Sequence, residues 1–161
     1  TLSPCDSPST ANVSFLPAMQ RRRLSPLARA VFHVCKQCLV DDDSHCTPSI
    51  FCSVYGETER TYTLVESIAR GEDVSPMVFS LSVHNAISGQ FGIFFNNKQA
   101  STAIAPANYA YISCIADALG QLQEGAKSVL LVCYEEALPE FYQIYTQSVD
   151  RPLAIAFKLN L

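Results

Sequence analysis

The sequence predicts an α/β fold in which a layered sheet is flanked by helices, and three observations lead to this class. Strand-like and helix-like segments alternate along the 161 residues, which is the pattern of layered α/β proteins. The segment SVLLVCY (128–134) is apolar almost throughout, as strands buried on both faces are. The segment PLAIAFKLNL (152–161) alternates large apolar residues with others, which predicts a final strand.

The first third of the chain contains an arm, a helix and a strand. Residues 1–19, with three prolines and many small polar residues, are expected to form an extended arm of a single domain spanning 1–161. A helix is predicted to begin at Pro26, because proline suits the first helical position and Ser25 can cap it. Residues 49–55 are rich in β-branched and aromatic side chains and predict a strand.

The middle of the chain is predicted to be mainly helical. One helix is expected over 57–70, with Gly71 ending it. The segment 75–95, which opens with Ser-Pro, is apolar enough for a buried helix or helix pair. A short buried strand over 102–105 then leads into a long helix over 107–124.

Composition excludes several classes of function. With 48% hydrophobic and 16% charged residues and a net charge of −4, the chain is expected to be globular and not to bind nucleic acid. It holds no apolar run of the ~18 residues that a membrane span requires, and no signal peptide is visible. Seven cysteines, an odd number spread over predicted strands and helices, fit the reduced thiols of a cytoplasmic protein.

The cysteine spacing also admits a zinc site, with His33 or His45 as a further ligand. The candidate ligands are Cys35, Cys38, Cys46 and Cys52. Paired CxxC motifs are the strong zinc signal, and this chain has only one. Cys35 and Cys38 also fall on the apolar stripe of the first predicted helix, where cysteine acts as a small hydrophobe. The prediction is therefore core thiols and no metal.

Residues 75–136 carry an ungapped set of positions that resembles one enzyme family. The positions are Ser75, Pro76, Asn85, Gly89, Ser101, Ile104, Ala105, Ala107, Gly125 and Glu136. In this register the chain resembles the N-terminal half of β-ketoacyl-acyl-carrier-protein synthases, which are condensing enzymes with the thiolase fold. The segment RRRLS (21–25) is similar to their Arg-Arg/Lys-Met segment. SVHNAISG (82–89) resembles small ketoacyl-synthase-like proteins encoded beside polyketide, aryl-polyene or fatty-acid-type genes. The implied fold is a thiolase-like half domain.

The resemblance implies that the nucleophile is missing. The family's Thr-Ala-Cys motif corresponds to Pro106-Ala107-Asn108, so Asn108 stands where the cysteine takes the acyl group as a thioester. The family's two active-site histidines belong to its second half, and His33, His45 and His84 match neither. The resemblance therefore predicts no catalytic residue and no cofactor.

Several residues remain candidates for a pocket beside that position: His84, Asn85, Pro106, Asn108 and Tyr134. The family has a Gly-Gly pair where this chain has Cys133-Tyr134, so Tyr134 is expected to intrude there. His84 and Asn85 are equally compatible with capping or packing. Cys114, a candidate displaced nucleophile, is expected to be a buried inert thiol. Glu135 and Glu136 are not expected to act as an acid/base pair, because neighbouring residues on a strand point to opposite faces.

Two surfaces are predicted to bind partners. Arg21, Arg22 and Arg23 can dock an acidic acyl carrier protein, with a solvated turn as the alternative interpretation. By resemblance, the strand before the nucleophile position forms a two-fold dimer edge, here Ser101, Thr102, Ala103, Ile104 and Ala105. The partner across that edge is a second copy or a ketoacyl synthase.

The predicted function is that of a non-catalytic, chain-length-factor-like partner in acyl-carrier-protein-dependent fatty-acid, aryl-polyene or polyketide synthesis. A first alternative is a 3-oxoacyl synthase or acyltransferase completed by another subunit or by a further segment. A second alternative is a module that binds acyl or pantetheine groups. The first alternative requires an intact nucleophile, and the predicted function does not. The second alternative differs from the predicted function because it does not include binding of a carrier protein.

Overall fold

The computed structural model describes residues 2–5, 11–39, 44–106, 110–146 and 149–161. The strands are β1 (Leu2–Cys5), β2 (Ser49–Cys52), β3 (Ser101–Ile104), β4 (Val129–Glu135) and β5 (Leu153–Leu159). The helices are α1 (Ala18–Arg21), α2 (Pro26–Cys38), α3 (Thr58–Ala69), α4 (Pro76–Ser82), α5 (Ala86–Phe94), α6 (Ala110–Gln123) and α7 (Glu140–Gln143).

The five described strands form one mixed sheet in the order β1-β5-β4-β2-β3. Strand β2 is parallel to both β3 and β4, whereas β5 is antiparallel to both β4 and β1. The carboxyl ends of β3, β2 and β4 therefore meet at one edge of the sheet, which is where layered α/β proteins place ligands and reacting groups.

Two apolar cores cover the two faces of the sheet. On one face, α2 and α5 pack against residues such as Phe51, Val132 and Ala156. On the other face, Cys114, Ala118 and Leu122 of α6 pack against inward residues of β2 and β4. Alternate residues of β4 serve the two cores, which explains why its sequence is apolar throughout. The predicted α/β fold with a sheet flanked by helices is confirmed.

Local signals explain where the helices begin and end. The Ser25 hydroxyl accepts the Ala28 N–H at 2.9 Å and Pro26 is the first residue of α2, as the sequence predicts. Gly71, with φ +73°, follows the end of α3 in the left-handed conformation that glycine adopts most readily.

Two local expectations need correction. The segment 75–95 is a helix pair, but only α5 is largely buried, since Met77, Val78 and Phe79 of α4 are exposed. Strand β3 is only partly buried, with Ser101 exposed, and it pairs with β2 alone among the described strands. Within the predicted arm 1–19, residues 2–5 form strand β1 of the sheet, and the last two residues are the first two of α1.

None of the described helices is both long enough and apolar enough to cross a membrane.

Candidate functional site

The candidate site lies where β3 leads towards α6, at the carboxyl edge of the parallel strands. Ala105 is exposed and Pro106 is buried. Asn108, the residue predicted at the nucleophile position, lies outside the described residues, as do both of its neighbours. The described surroundings are the end of β3, the loop 53–57 after β2, and the end of β4.

Glu135 at the end of β4 anchors the loop 53–57. Its carboxylate accepts hydrogen bonds from the Ser53 hydroxyl at 3.1 Å, from the Tyr55 N–H at 3.4 Å and from the Val54 N–H. Burial raises the pKa of Glu135, and the three donors of the loop together with nearby His84 oppose that rise. The carboxylate therefore holds together two segments about eighty residues apart in sequence.

His84 also contacts this loop. Its Nε2 lies 2.7 Å from the Ser53 carbonyl oxygen. Gly56 has φ +61°, and a Cβ there would lie 3.0 Å from the His84 ring, so the loop requires glycine for both conformation and space. His84 is thus a packing residue of the loop, and it does not hydrogen-bond the Ser53 hydroxyl. The two residues therefore do not form a nucleophile and base pair.

A second carboxylate cluster joins α2, α3 and the end of β4. Glu57 is 3% exposed. Its carboxylate accepts a hydrogen bond from the Ser25 hydroxyl at 2.6 Å and forms an ion pair with Arg60 Nε at 3.1 Å. Glu136 accepts the Glu59 N–H at 3.2 Å. Burial, together with repulsion from Glu57 and Glu59, raises the pKa of Glu136 to about 7, although the Glu59 N–H and Arg60 oppose the rise.

The predicted pocket residues do not all meet at this edge. Tyr134 is 3% exposed and packs against Phe51, with ring centroids 6.4 Å apart. Its ring lies in the core on the α2 side, on the face of the sheet away from α6. Asn85 is exposed at the N-cap of α5. His84 and Pro106 are the described members of the predicted pocket that lie near the edge.

The thiols on the α6 side are core residues. Burial and a hydrogen bond with Cys52 raise the pKa of Cys114 to about 12, and Cys114 has no measurable exposure. A hydrogen bond with Cys133 and burial raise the pKa of Cys52. Such thiols carry little thiolate at neutral pH, so they make poor nucleophiles.

The four candidate zinc ligands are spread over the molecule. Cys35 and Cys38 lie in the core on the α2 side, Cys52 lies in the core on the α6 side, and Cys46 is exposed. Within the described ranges, no group of three or more histidine, cysteine or acidic side chains is placed to hold a metal ion.

An apolar cavity of about 590 Å³ lies between α6 and the strands β4 and β5. Its walls include Ile115, Leu119, Ile155 and Phe157, and Tyr111, Cys133 and Glu135 also border it. The size lies within the range of small-molecule sites, and the apolar walls suit an apolar occupant.

Of the three predicted docking arginines, Arg22 and Arg23 are exposed and Arg21 is half-buried. The exposed pair lines a groove of about 330 Å³ together with Arg60 and side chains of α3 and α4. Arg60 donates from Nη2 to the Arg23 carbonyl oxygen at 2.9 Å. The groove therefore combines three guanidinium groups, of which that of Arg60 is paired with Glu57, and the carboxylate of Glu59 with apolar side chains of α4.

The predicted dimer edge is the outer strand β3. The Ala100 carbonyl oxygen accepts a hydrogen bond from the Ser49 N–H of β2, and the Ile104 carbonyl oxygen accepts one from the Ser53 N–H just after β2. The backbone groups of successive residues in a strand point in opposite directions. The backbone groups of Ser101, Ala103 and Ala105 are therefore directed outward.

Sequence reasoning missed the contact between Glu135 and the loop 53–57. The signal available was an acidic residue directly after a buried strand, facing a loop at the same edge of the sheet. Alternation along the strand separates Glu135 from Glu136 as expected, and the two carboxylates bind different segments.

Comparison with known proteins identifies the family. Residues 3–161 match the family described as "Beta-ketoacyl synthase, N-terminal domain". Among curated proteins no match was found. A chain from the complex of the ketosynthase ApeO with its chain length factor ApeC from Xenorhabdus doucetiae is similar, with 26% identity and a TM-score of 0.77. The match covers 92% of this chain and 63% of that chain.

Two further structures share the fold. The ishigamide ketosynthase/chain length factor has 17% identity and a TM-score of 0.73, with 90% of this chain and 46% of that chain covered. A β-ketoacyl synthase from Burkholderia phymatum STM815 has 12% identity and a TM-score of 0.69, with 94% of this chain and 45% of that chain covered. The chain thus spans between 45% and 63% of the lengths of these structures.

The fold is that of the thiolase-like ketosynthases, and the chain belongs to the β-ketoacyl synthase N-terminal domain family.

Proposed function

We propose that this chain is a non-catalytic ketosynthase-like subunit that pairs with a ketosynthase, in the manner of a chain length factor. The observation that carries the proposal is the asparagine at position 108, Asn108, which the family resemblance aligns with the nucleophile. A carboxamide is neutral and does not form a thioester. Cys114, the first cysteine after it, is buried and has a raised pKa, so it does not replace the missing thiolate.

Support for a partner comes from the edge of the sheet and from the comparisons. Strand β3 has one hydrogen-bonded neighbour among the described strands, and such an edge favours pairing with another chain. One similar structure is a complex of a ketosynthase with its chain length factor. The partner of this chain is accordingly a ketosynthase, and the homodimer is the alternative assembly.

The proposed pathway class is acyl-carrier-protein-dependent synthesis of a fatty acid, aryl polyene or polyketide. The groove of Arg22, Arg23 and Arg60 supports a carrier protein as the second partner, because guanidinium groups bind acidic surfaces and the apolar side chains beside them add contact area.

The test of the missing nucleophile is acylation. The purified chain is incubated with acyl-carrier thioesters, and its intact mass is recorded after desalting. We expect no adduct on the wild-type chain and no release of carbon dioxide from a malonyl thioester.

Two variants control this experiment. Asn108→Cys supplies a thiol at the nucleophile position, and we expect it to react with iodoacetamide faster than the buried cysteines do. Cys114→Ala should leave the wild-type result unchanged. A stable acyl adduct on the wild-type chain, in particular one lost in Cys114→Ala, would overturn the non-catalytic proposal in favour of an acyltransferase.

A further inference from the structure

Three hydrogen-bond donors of the loop 53–57 converge on a single carboxylate. They are the Ser53 hydroxyl, at 3.1 Å from Glu135, and the N–H groups of Val54 and Tyr55. Successive backbone N–H groups that point into one concavity form an anion-binding arrangement. We propose that this loop is an anion-binding cradle and that Glu135 is its resident anion, which keeps external carboxylates out of this edge of the sheet. The proposal goes beyond the partner function and does not depend on it.

The cradle is held by contacts that do not involve Glu135. The Ser53 N–H donates to the Ile104 carbonyl oxygen at 3.2 Å, and Ser53 Oγ accepts the Gly56 N–H at 2.7 Å. His84 Nε2 lies 2.7 Å from the Ser53 carbonyl oxygen. Strand β3, the turn at Gly56 and His84 therefore fix the donors in place. We expect the cradle to keep its shape when the Glu135 carboxylate is removed.

Glu135 also separates the cradle from the apolar cavity. The same residue that accepts the loop donors lines the cavity of about 590 Å³ beside α6. Without its carboxylate, the donors would face a space with apolar walls. The ligand class that suits this combination is a small carboxylate, with or without an apolar tail.

Other charged and titratable groups surround Glu135 from several elements. His84 lies on the α4–α5 connection, Tyr111 on α6, Cys52 on β2 and Tyr134 on β4. Only His84 among these can supply positive charge. The loop donors are accordingly the main groups that stabilise an anion there.

Formate is the probe for the vacated cradle. Thermal unfolding of Glu135→Ala is compared in 100 mM sodium formate and in 100 mM sodium chloride. Because a ligand that binds only the folded state stabilises it, we expect formate to raise the midpoint of this variant by about 3 °C. Wild type and Glu135→Gln, whose side chains fill the cradle, should not respond. An equal response in all three proteins, or none in Glu135→Ala, would overturn the proposal.

A second measurement uses the wild-type chain and does not require the alanine variant to fold. Amide proton shifts of Val54 and Tyr55 are followed by NMR as pH is lowered. If Glu135 is the anion in the cradle, both amides should titrate with one midpoint. The titration should be lost in Glu135→Gln and retained in Glu136→Gln, which alters the neighbouring carboxylate only. Amides that do not titrate, or that titrate unchanged in Glu135→Gln, would refute the assignment.

Discussion

Among the individual residues, Glu136 carries a carboxylate in an unusual electrostatic environment. It is 7% exposed and accepts the N–H of Glu59 in the first turn of α3. Burial raises its pKa, and repulsion from two nearby carboxylates, Glu57 and Glu59, raises it further. A group in this position links the stability of the fold to pH.

The pH dependence follows from the sign of that shift. The folded pKa of about 7 lies above the ordinary value of 4.5, so the folded state binds more protons than the unfolded state between these values. The contribution of Glu136 to the stability of the folded state is fully present below about pH 4.5 and is lost as pH rises through about 7. Burial also raises the pKa values of Glu57 and Glu135, so these groups act in the same direction.

We therefore expect Glu136→Gln to stabilise the protein at pH 8 by about 1–2 kcal/mol and to have little effect at pH 4.5. Glutamine mimics the neutral carboxyl group and keeps the oxygen that accepts the Glu59 N–H. Urea unfolding at the two pH values measures the difference. Glu66→Gln, on the exposed side of α3, is the matched control and should leave the difference in stability between the two pH values unchanged. An unaltered pH dependence in Glu136→Gln contradicts the assignment.

At the level of the elements, β3 is the strand on which the proposed assembly depends. Thr102 and Ile104 direct their backbone groups towards β2, whereas Ser101 and Ala103 direct theirs outward. This alternation lets two neighbouring proline substitutions separate folding from association.

Ala103→Pro removes an outward N–H, a position at which edge strands tolerate proline. We expect this variant to fold but to lose the dimer, or the complex with a ketosynthase. Thr102→Pro removes an inward N–H of the ladder with β2, and we expect it to destabilise the sheet by about 1–3 kcal/mol. Light scattering reports association, and circular dichroism during heating reports folding. A folded Ala103→Pro variant that still associates as wild type does would exclude β3 as the interface.

Several elements could be predicted because their signals are local. Ser25 and Pro26 predict the start of α2. The apolar run of β4 predicts a strand that is buried on both faces. The contacts of Glu135 and the exposure of α4 could not be predicted in this way. They depend on which segments the sheet order brings together, and a residue about eighty positions away leaves no local signal. The family register placed Tyr134 near the pocket, whereas strand alternation directs its ring to the other core.

For the whole molecule, the distribution of charge matters more than its sum. The net charge is −4, yet Arg22, Arg23 and Arg60 share one groove. We expect the proposed acidic partner to be attracted to this groove, although the molecule as a whole repels it. This attraction weakens as salt increases, because screening acts on exposed charges first.

Reversal of the two exposed charges tests this surface. We expect Arg22→Glu combined with Arg23→Glu to weaken binding of acyl carrier protein by about tenfold or more at low salt. Arg70→Glu, at the exposed C-cap of α3, changes the net charge in the same sense outside the groove and serves as control. Surface plasmon resonance at two salt concentrations gives the comparison. Equal losses in both variants would indicate a general charge effect and no docking site.

The pairing of β1 with β5 has a consequence for synthesis on the ribosome. Leu2–Cys5 pairs with Ala154–Phe157, so the earliest described strand acquires its neighbour only after some 150 further residues have been made. Contacts of such long sequence separation form slowly. During translation, β1 has no strand to pair with, and a nascent chain that stalls before β5 leaves the edge of β4 uncovered as well. Such chains present open strand edges to one another, which makes them prone to aggregate and suited to capture by chaperones.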